Sequence, residues 1–110
     1  LSVTEANIQE MVNVIIQIVK PCQVFLFGSY ATGNHNSDSD VDFLVIEDDP
    51  FGGGRSRRKE MAKLWKGLAH FNIPKDFLVY SRDEVNYWRN SRNHVISHVL
   101  KEGRLLYDRS

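Results

Sequence analysis

Apolar positions follow two different spacings along the chain. Near the start they recur every three or four residues, which predicts a helix that ends near Lys20 because Pro21 cannot continue it. Farther along, short apolar runs at residues 24–27, 41–46 and 77–80 are bounded by Gly, Pro or Asp. Continuous runs of this length favour buried strands.

Helical patterns separate these strands and follow the last of them. They lie at residues 56–71, 83–89 and 93–102, and a short final strand is expected at residues 105–107. Two Ser-x-x-Glu capping boxes, one beginning at Ser2 and the other at Ser81, predict where helices begin.

The order of these elements predicts an α/β (α+β) fold with a small mixed β-sheet flanked by helices. The second and third strands are separated by a helix, so we expect them to be parallel. If the first two strands are antiparallel, the end of the first and the starts of the other two share one edge. The length of 110 residues fits one domain, residues 1–110.

Composition narrows the functional classes only modestly. The chain has 14 basic and 14 acidic residues, so no overall field favours nucleic acid, and we expect no direct nucleic-acid binding. Most of the acids at positions 38–49 and of the bases at positions 55–66 are expected to be solvated. A single cysteine, Cys22, and the absence of a long apolar run or visible signal peptide indicate a cytoplasmic protein without membrane attachment.

Candidate chemistry begins at Asp40 and Asp42. Residues two apart in a strand point to the same face, roughly 6.6 Å apart along the chain. Two carboxylates placed side by side repel each other, and a hard divalent cation such as magnesium would relieve this repulsion. The sequence therefore indicates a metal site at the start of the second strand.

The Gly28–Ser29 pair follows the first strand and offers backbone N–H groups and a hydroxyl to a phosphate. Two similar motifs can be excluded. A P-loop would need Lys-Ser/Thr where Asn34 and His35 stand, and an EF-hand would need glycine in place of Phe43. Carboxylates that face a phosphate cradle indicate phosphoryl or nucleotidyl transfer.

Together these residues resemble the signature of the DNA polymerase beta-like nucleotidyltransferase superfamily. The signature positions are Gly28, Ser29, Ala31, Gly33, Ser39, Asp40 and Asp42. Nearly the whole chain is similar to the minimal nucleotidyltransferases, the small MntA-type antitoxins of prokaryotes.

This resemblance implies a magnesium-dependent enzyme that transfers AMP from ATP to a hydroxyl group, with two magnesium ions. Asp76 matches the third metal-binding carboxylate, so Asp40, Asp42 and Asp76 are expected to be both catalytic and metal-binding. Gly28 and Ser29 would hold the β- and γ-phosphates. The implied acceptor is a tyrosine on a HEPN-type toxin partner.

The sequence departs from the family at Tyr30 and Thr32, where arginine is common. Charge on the triphosphate must then be met by magnesium or by later arginines. We therefore expect Arg57 and Arg58, together with Arg55, to contact the nucleotide across a Gly52-Gly53-Gly54 hinge.

Two alternatives remain open from the sequence. The chain could be a non-catalytic antitoxin module that binds a nucleotide or neutralises its partner by contact alone. It could also be a small-molecule nucleotidyltransferase of the aminoglycoside type, although such enzymes usually carry an additional substrate domain.

Overall fold

A computed structural model describes residues 3–109 of the chain. Within them, five helices and four strands follow one another. Their order is α1 (Glu5–Val19), β1 (Gln23–Phe27), α2 (Ser29–Thr32), β2 (Val41–Glu47), α3 (Arg57–Gly67), β3 (Lys75–Ser81), α4 (Arg82–Trp88), α5 (Val95–Glu102) and β4 (Arg104–Asp108).

The four strands form one mixed sheet in the order β3-β2-β1-β4. β1 pairs antiparallel with both β2 and β4, and β2 pairs parallel with β3 across the α3 crossover. The predicted mixed sheet flanked by helices is confirmed, and so is the shared edge. The end of β1 and the starts of β2 and β3 lie together there.

Helices cover both faces of the sheet. On one face α1 and α3 pack on a core that includes Met11, Ile15, Leu64 and Leu68, all fully buried. On the other face α4 and α5 cover a second core of seven buried residues, namely Cys22, Phe25, Leu44, Ile46, Val85, Ile96 and Val99. β2 contributes buried side chains to both cores, which explains its almost continuous apolar run.

The helices begin and end where capping interactions form, and these positions do not always match the predicted limits. α1 begins at Glu5, and its N-cap is Thr4, which forms a capping box with Asn7. The predicted cap at Ser2 lies outside the described residues. The helix ends as expected, with Lys20 in the left-handed conformation. The second predicted capping box, Ser81 with Glu84, is confirmed at the start of α4.

Two predictions on the α3 side need correction. The helix ends at Gly67 rather than at residue 71, because Leu68 leaves the helical path as its C-cap. The helical spacing of Trp65 with Met61 and Leu68 predicts that its side chain lies on the inner side of the helix, but it is 42% exposed. Its ring packs at nearly a right angle to the ring of Phe77 on β3, with the two centroids 5.0 Å apart.

Among residues 3–109, no helix has the length and apolar character needed to cross a bilayer.

Candidate active site

The parallel pairing of β2 with β3 brings two of the predicted site residues together. Asp42 lies opposite Asp76 in the register, and the backbone N–H of Val41 donates to the carbonyl of Pro74 at 2.9 Å. One position deeper, the rings of Phe43 and Phe77 stack with their centroids 6.0 Å apart. This buried aromatic pair anchors the strand starts, so the two carboxylates keep their relation to each other.

The antiparallel pairing of β1 with β2 adds the glycine turn to the same edge. Phe27 lies opposite Asp42, so Gly28 is the first residue beyond that pair. Gly28 has φ +73° and ψ −155°, a conformation that is essentially restricted to glycine. A β-carbon there would stand 2.4 Å from Oδ2 of Asp42. Both the backbone and the carboxylate therefore require glycine at this position.

The short helix α2 follows from the Gly28 turn. The Gly28 carbonyl accepts from the N–H groups of Ala31 and Thr32, at 3.1 and 3.3 Å. The chain leaves α2 at Gly33, with φ +80°, and the N–H of Asn34 donates to the Ser29 carbonyl at 3.0 Å. The first N–H groups of a helix lack partners within it, which leaves donors at this turn for an anion.

A compact loop leads from α2 to Asp40. The Ser39 hydroxyl accepts from the N–H of Asn36 at 2.9 Å, and the Asn36 side chain accepts from the N–H of Asp38 at 2.8 Å. The Tyr30 ring stacks on His35 with centroids 4.1 Å apart. Ser39 thus shapes the turn that delivers Asp40 to β2, which gives this signature position a local structural role.

The three carboxylates interact through their charges. Asp40 and Asp76 are exposed, whereas Asp42 is half-buried. Burial, and to a smaller extent the negative charges of Asp40 and Asp76, together raise the pKa of Asp42 to about 6. Asp76 is oriented by its own strand, because its Oδ1 accepts from the N–H of Phe77 at 2.9 Å.

These residues fit a divalent cation by their chemistry. The carboxylates supply the oxygen ligands that magnesium prefers. The pKa of Asp42 is raised first by burial and then by the charges of Asp40 and Asp76, and a bound cation would compensate both effects. In the described part of the chain, however, no three His, Cys, Asp or Glu side chains are gathered into a ready-made metal cluster. The carboxylates are thus neighbours at one edge without forming a closed set of ligands.

The predicted nucleotide-binding arginines lie elsewhere. Arg57 pairs with Glu84 and lies 5.1 Å from the ring centroids of Phe51 and Tyr80. Tyr80 is level with Ile46 in the sheet, four residues beyond Asp42, which is ~13 Å along a strand. Arg58 is exposed in the same first turn of α3. The structure therefore does not bring Arg57 and Arg58 to the edge that carries Asp42.

The predicted hinge at Gly52-Gly53-Gly54 is also held by hydrogen bonds in this structure. Gly52 and Arg55 exchange two backbone hydrogen bonds, at 2.8 and 3.0 Å. The Arg55 guanidinium donates to the carbonyls of Pro50 and Asp49 and to Oε1 of Glu47. These bonds hold Arg55 at the far end of β2, so the geometry does not support closure of this loop over a triphosphate.

Sequence reasoning missed a buried carboxyl pair near that loop. Glu47 and Glu60 are only 3% and 7% exposed. Burial and the neighbouring Glu60 raise the pKa of Glu47 to about 7, although Arg55 acts in the opposite direction. Burial also acts to raise the pKa of Glu60, but hydrogen bonds from Lys63 and Glu47 outweigh it and hold that pKa below its usual range. The only indication of this burial in the sequence is that Glu47 directly follows the apolar run predicted as a central strand.

Comparison with known proteins decides the family. The family described as "Polymerase beta, Nucleotidyltransferase" matches residues 9–110. The chain belongs to this nucleotidyltransferase family. A protein of Methanocaldococcus jannaschii, named as a candidate protein adenylyltransferase, is 32% identical over 88 residues, which cover 77% of each chain. The predicted nucleotidyltransferase resemblance is thereby confirmed.

Solved structures share the fold of this nucleotidyltransferase. A candidate nucleotidyltransferase from Sulfolobus solfataricus has a TM-score of 0.60 at 19% identity, covering 93% of this chain and 78% of its own. A toxin–antitoxin structure with AMP-PNP has a TM-score of 0.56 at 20% identity, covering 91% and 73%. A mutant of the toxin–antitoxin MntA-HpeT reaches 0.54 at 20% identity, covering 91% and 72%.

Proposed function

We propose that residues 1–110 form a single catalytic domain that transfers AMP from ATP to a hydroxyl group of a partner protein in a magnesium-dependent reaction. One observation carries the proposal. Asp42 and Asp76 are paired across β2 and β3, Asp40 acts on Asp42 through its charge, and Gly28 lies against the Asp42 carboxylate. Carboxylates beside a phosphate cradle are what nucleotidyl transfer requires.

Each residue at this edge has a defined role in the proposal. The Gly28 N–H and the Ser29 hydroxyl hold the β- and γ-phosphates, since glycine lets phosphate approach the backbone. Asp40 and Asp42, with Asp76 as the third carboxylate, would hold two magnesium ions. When bound, these ions lower the pKa of the acceptor hydroxyl and stabilise the charge of the departing pyrophosphate.

The reaction needs no nucleophile from this chain. The acceptor oxygen forms a bond to the α-phosphorus while the bond from that phosphorus to the β-bridging oxygen breaks, and pyrophosphate leaves. Asp76, exposed at the edge, accepts the proton of the acceptor hydroxyl. Cys22 takes no part, because it is buried and its thiol donates to the carbonyl of Ile46.

The acceptor is proposed to be a tyrosine of a HEPN-type toxin. A relative is named as a candidate protein adenylyltransferase, and one structural neighbour is a toxin–antitoxin with AMP-PNP. In another toxin–antitoxin neighbour, two aspartates spaced like Asp40 and Asp42 are replaced by glutamate. A phenol of pKa ≈ 10 is deprotonated more readily than an aliphatic alcohol. Addition of a charged nucleotide would then block RNA binding by the toxin.

The exposed position of the carboxylates also favours a partner chain. The carboxylates lie at an exposed sheet edge, whereas ligand sites usually enclose most of their ligand. The partner would supply the second wall of the cleft. This requirement favours a protein acceptor over the alternative of a free small molecule, and transfer activity separates it from the non-catalytic binding module.

The test is transfer of label from α-labelled ATP in the presence of magnesium and lysate of the source organism, followed by identification of the labelled protein. We expect one AMP to be added to a partner, and we expect the addition to be lost when its acceptor tyrosine is changed to phenylalanine. The purified chain alone should turn ATP over very slowly. Efficient AMP transfer to a small molecule without any partner protein would contradict the proposal.

A further inference from the structure

A cleft of about 380 Å³ opens beside the Gly28 turn, between the end of β1 and α5. Phe27, Val95 and Val99 line it with apolar surface, and His98 and Glu102 are exposed on α5. The cleft touches the turn that holds phosphate in the proposed function, but none of its α5 residues has a role there.

His98 and Glu102 also line a second cleft of about 770 Å³. It lies between the outer side of α5 and the loop that joins α4 to α5, and its basic residues are Arg89, Arg92 and Lys101. Because two residues are shared, the second cleft continues the first. A continuous concave surface therefore runs from the Gly28 turn along α5, and its arginine and lysine side chains lie in the second cleft.

The three bases in this second cleft differ from most arginines of the protein. Arg89, Arg92 and Lys101 are exposed, and no ion pair joins them to an acid within residues 3–109. By contrast, a carboxylate pairs with each of five other arginines, namely Arg55, Arg57, Arg82, Arg104 and Arg109. The cleft thus has three positive side chains against one carboxylate, Glu102, and this excess of positive charge in a concave surface attracts an external anion.

We propose that this second cleft binds an acidic segment of the protein acceptor and thereby holds the acceptor hydroxyl near the Gly28 turn. The inference rests on the proposed function, since it assigns a docking site to that same acceptor. Complementary charge sets the rate of encounter and the register of docking. Arg89, Arg92 and Lys101 are then residues that recognise the acceptor without touching the reacting atoms.

The lining favours an acidic peptide over single-stranded nucleic acid. Proteins that bind single strands combine positive charge with aromatic side chains on which bases stack. No Phe, Tyr or Trp lines the second cleft in the described residues; its lining comprises Arg89, Asn90, Ser91, Arg92, Ser97, His98, Leu100, Lys101 and Glu102. The formal net charge of the chain is zero, so no long-range field draws in a phosphate polymer.

Fluorescence anisotropy at low salt tests the inference. The probe is a fluorescein-labelled peptide with one tyrosine flanked by three glutamates on each side. Its glutamine analogue and an oligoadenylate of equal length are the comparisons. We expect the acidic peptide to bind and the other two to bind at least about tenfold more weakly.

The decisive variant is Arg92→Glu/Lys101→Glu, with Arg92→Gln/Lys101→Gln as a milder form. The matched control is Lys59→Glu/Lys66→Glu, since both lysines are exposed on α3. The cleft variant should lose about tenfold in peptide affinity, while the control should stay within about twofold. Equal losses in both variants, no detectable peptide binding, or tighter binding of oligoadenylate would overturn the inference.

Peptide binding is measured without nucleotide, so the two proposals can fail separately. Asp42→Asn should bind the acidic peptide as the natural sequence does, although it should not transfer AMP. Charge-dependent peptide binding without any AMP transfer would contradict the proposed function only. AMP transfer to a partner that is unchanged in the cleft variant would contradict the docking inference only.

Discussion

Gly28 and Asp42 approach each other so closely that a β-carbon on residue 28 would lie 2.4 Å from Oδ2 of Asp42. Gly28→Ala must therefore displace the carboxylate and also strain a backbone with φ +73°. We expect a loss of about 1–3 kcal/mol in the free energy of unfolding, together with loss of magnesium-ATP binding. Chemical denaturation and calorimetry measure the two effects.

Gly33→Ala is the matched control for that substitution. Gly33 has φ +80°, and a β-carbon there would meet no heavy atom within 4 Å, so alanine causes backbone strain without crowding a carboxylate. We expect about 1 kcal/mol of destabilisation and retained nucleotide binding. If both variants lost nucleotide binding equally, backbone strain rather than the Asp42 contact would explain the effect.

Asp42→Asn should abolish AMP transfer while leaving the metal-free fold intact or more stable. The folded-state pKa of Asp42 is about 6, above the ordinary 3.8, so its contribution to stability is present below pH 4 and is lost as the pH rises through 6. The variant should therefore gain stability over the natural sequence progressively from about pH 4, and the gain should be complete above about pH 6. The side chain is partly solvated, so we expect about 1 kcal/mol.

Denaturation midpoints at pH 4 and pH 8, with and without magnesium, check this expectation. Asp38→Asn is the control, since Asp38 is an exposed acid of the same loop. It should change neither the pH dependence nor AMP transfer. A marked loss of metal-free stability in Asp42→Asn at pH 8 would mean that Asp42 has a structural role instead.

Glu47→Gln should flatten the pH dependence of stability near neutrality. Burial raises the pKa of Glu47 to about 7, so in the natural protein stability falls as the pH rises from about 5 through 7. Glutamine cannot ionise, so the variant lacks the Glu47–Arg55 ion pair at every pH, while Arg55 keeps its bonds to the carbonyls of Pro50 and Asp49. We expect the fall between pH 5 and pH 8 to shrink by about 2 kcal/mol.

The matched control for Glu47→Gln is Glu10→Gln, because Glu10 is exposed on α1. Denaturation at several pH values should show the natural dependence in this control. An unchanged dependence in Glu47→Gln would mean that ionisation of Glu47 does not cause the loss of stability near neutrality.

Arg57→Ala should lower stability by about 1–2 kcal/mol without changing the affinity for magnesium-ATP. The guanidinium lies against the rings of Phe51 and Tyr80 and pairs with Glu84, so the variant loses packing and charge contacts. Arg58→Ala, one residue on, removes an exposed side chain and should change neither property. A several-fold rise in the dissociation constant for ATP in either variant would mean that the replaced arginine does contact the nucleotide.

The parallel pairing of β2 with β3 and the shared edge could be predicted, because the hydrophobic runs locate the strands and the helical crossover fixes their relative direction. The place of β4 beside β1 was not predicted. The positions of Arg55 and Arg57 could not be predicted either, since glycines leave the direction of the 50–56 loop undetermined by sequence pattern. In the structure, the direction of this loop depends on the Arg55 guanidinium, which donates to the Glu47 carboxylate and to the Asp49 carbonyl. A single hydrogen bond between a side chain and a backbone carbonyl leaves no periodic pattern in the sequence from which it could be predicted.

Burial of charge was equally hard to predict. Glu47 follows an apolar run and precedes two further acids, so solvation was the natural expectation, yet it is 3% exposed. Trp65 shows the reverse case, since its helical position indicates burial but the edge of the sheet leaves it 42% exposed. Both depend on where α3 rests on β3, which is a tertiary property.

The parallel pairing of β2 with β3 also bears on the order of folding. Asp42 and Asp76 are neighbours in the sheet, but the whole of α3 separates them along the chain. Contacts between distant residues form slowly, because the intervening loop must lose entropy before the contact can stabilise it. A chain with only the β1–β2 hairpin in place has Asp40 and Asp42 but not the third carboxylate. The three carboxylates are therefore brought together only when β3 docks on β2, so a partly folded molecule lacks the complete site.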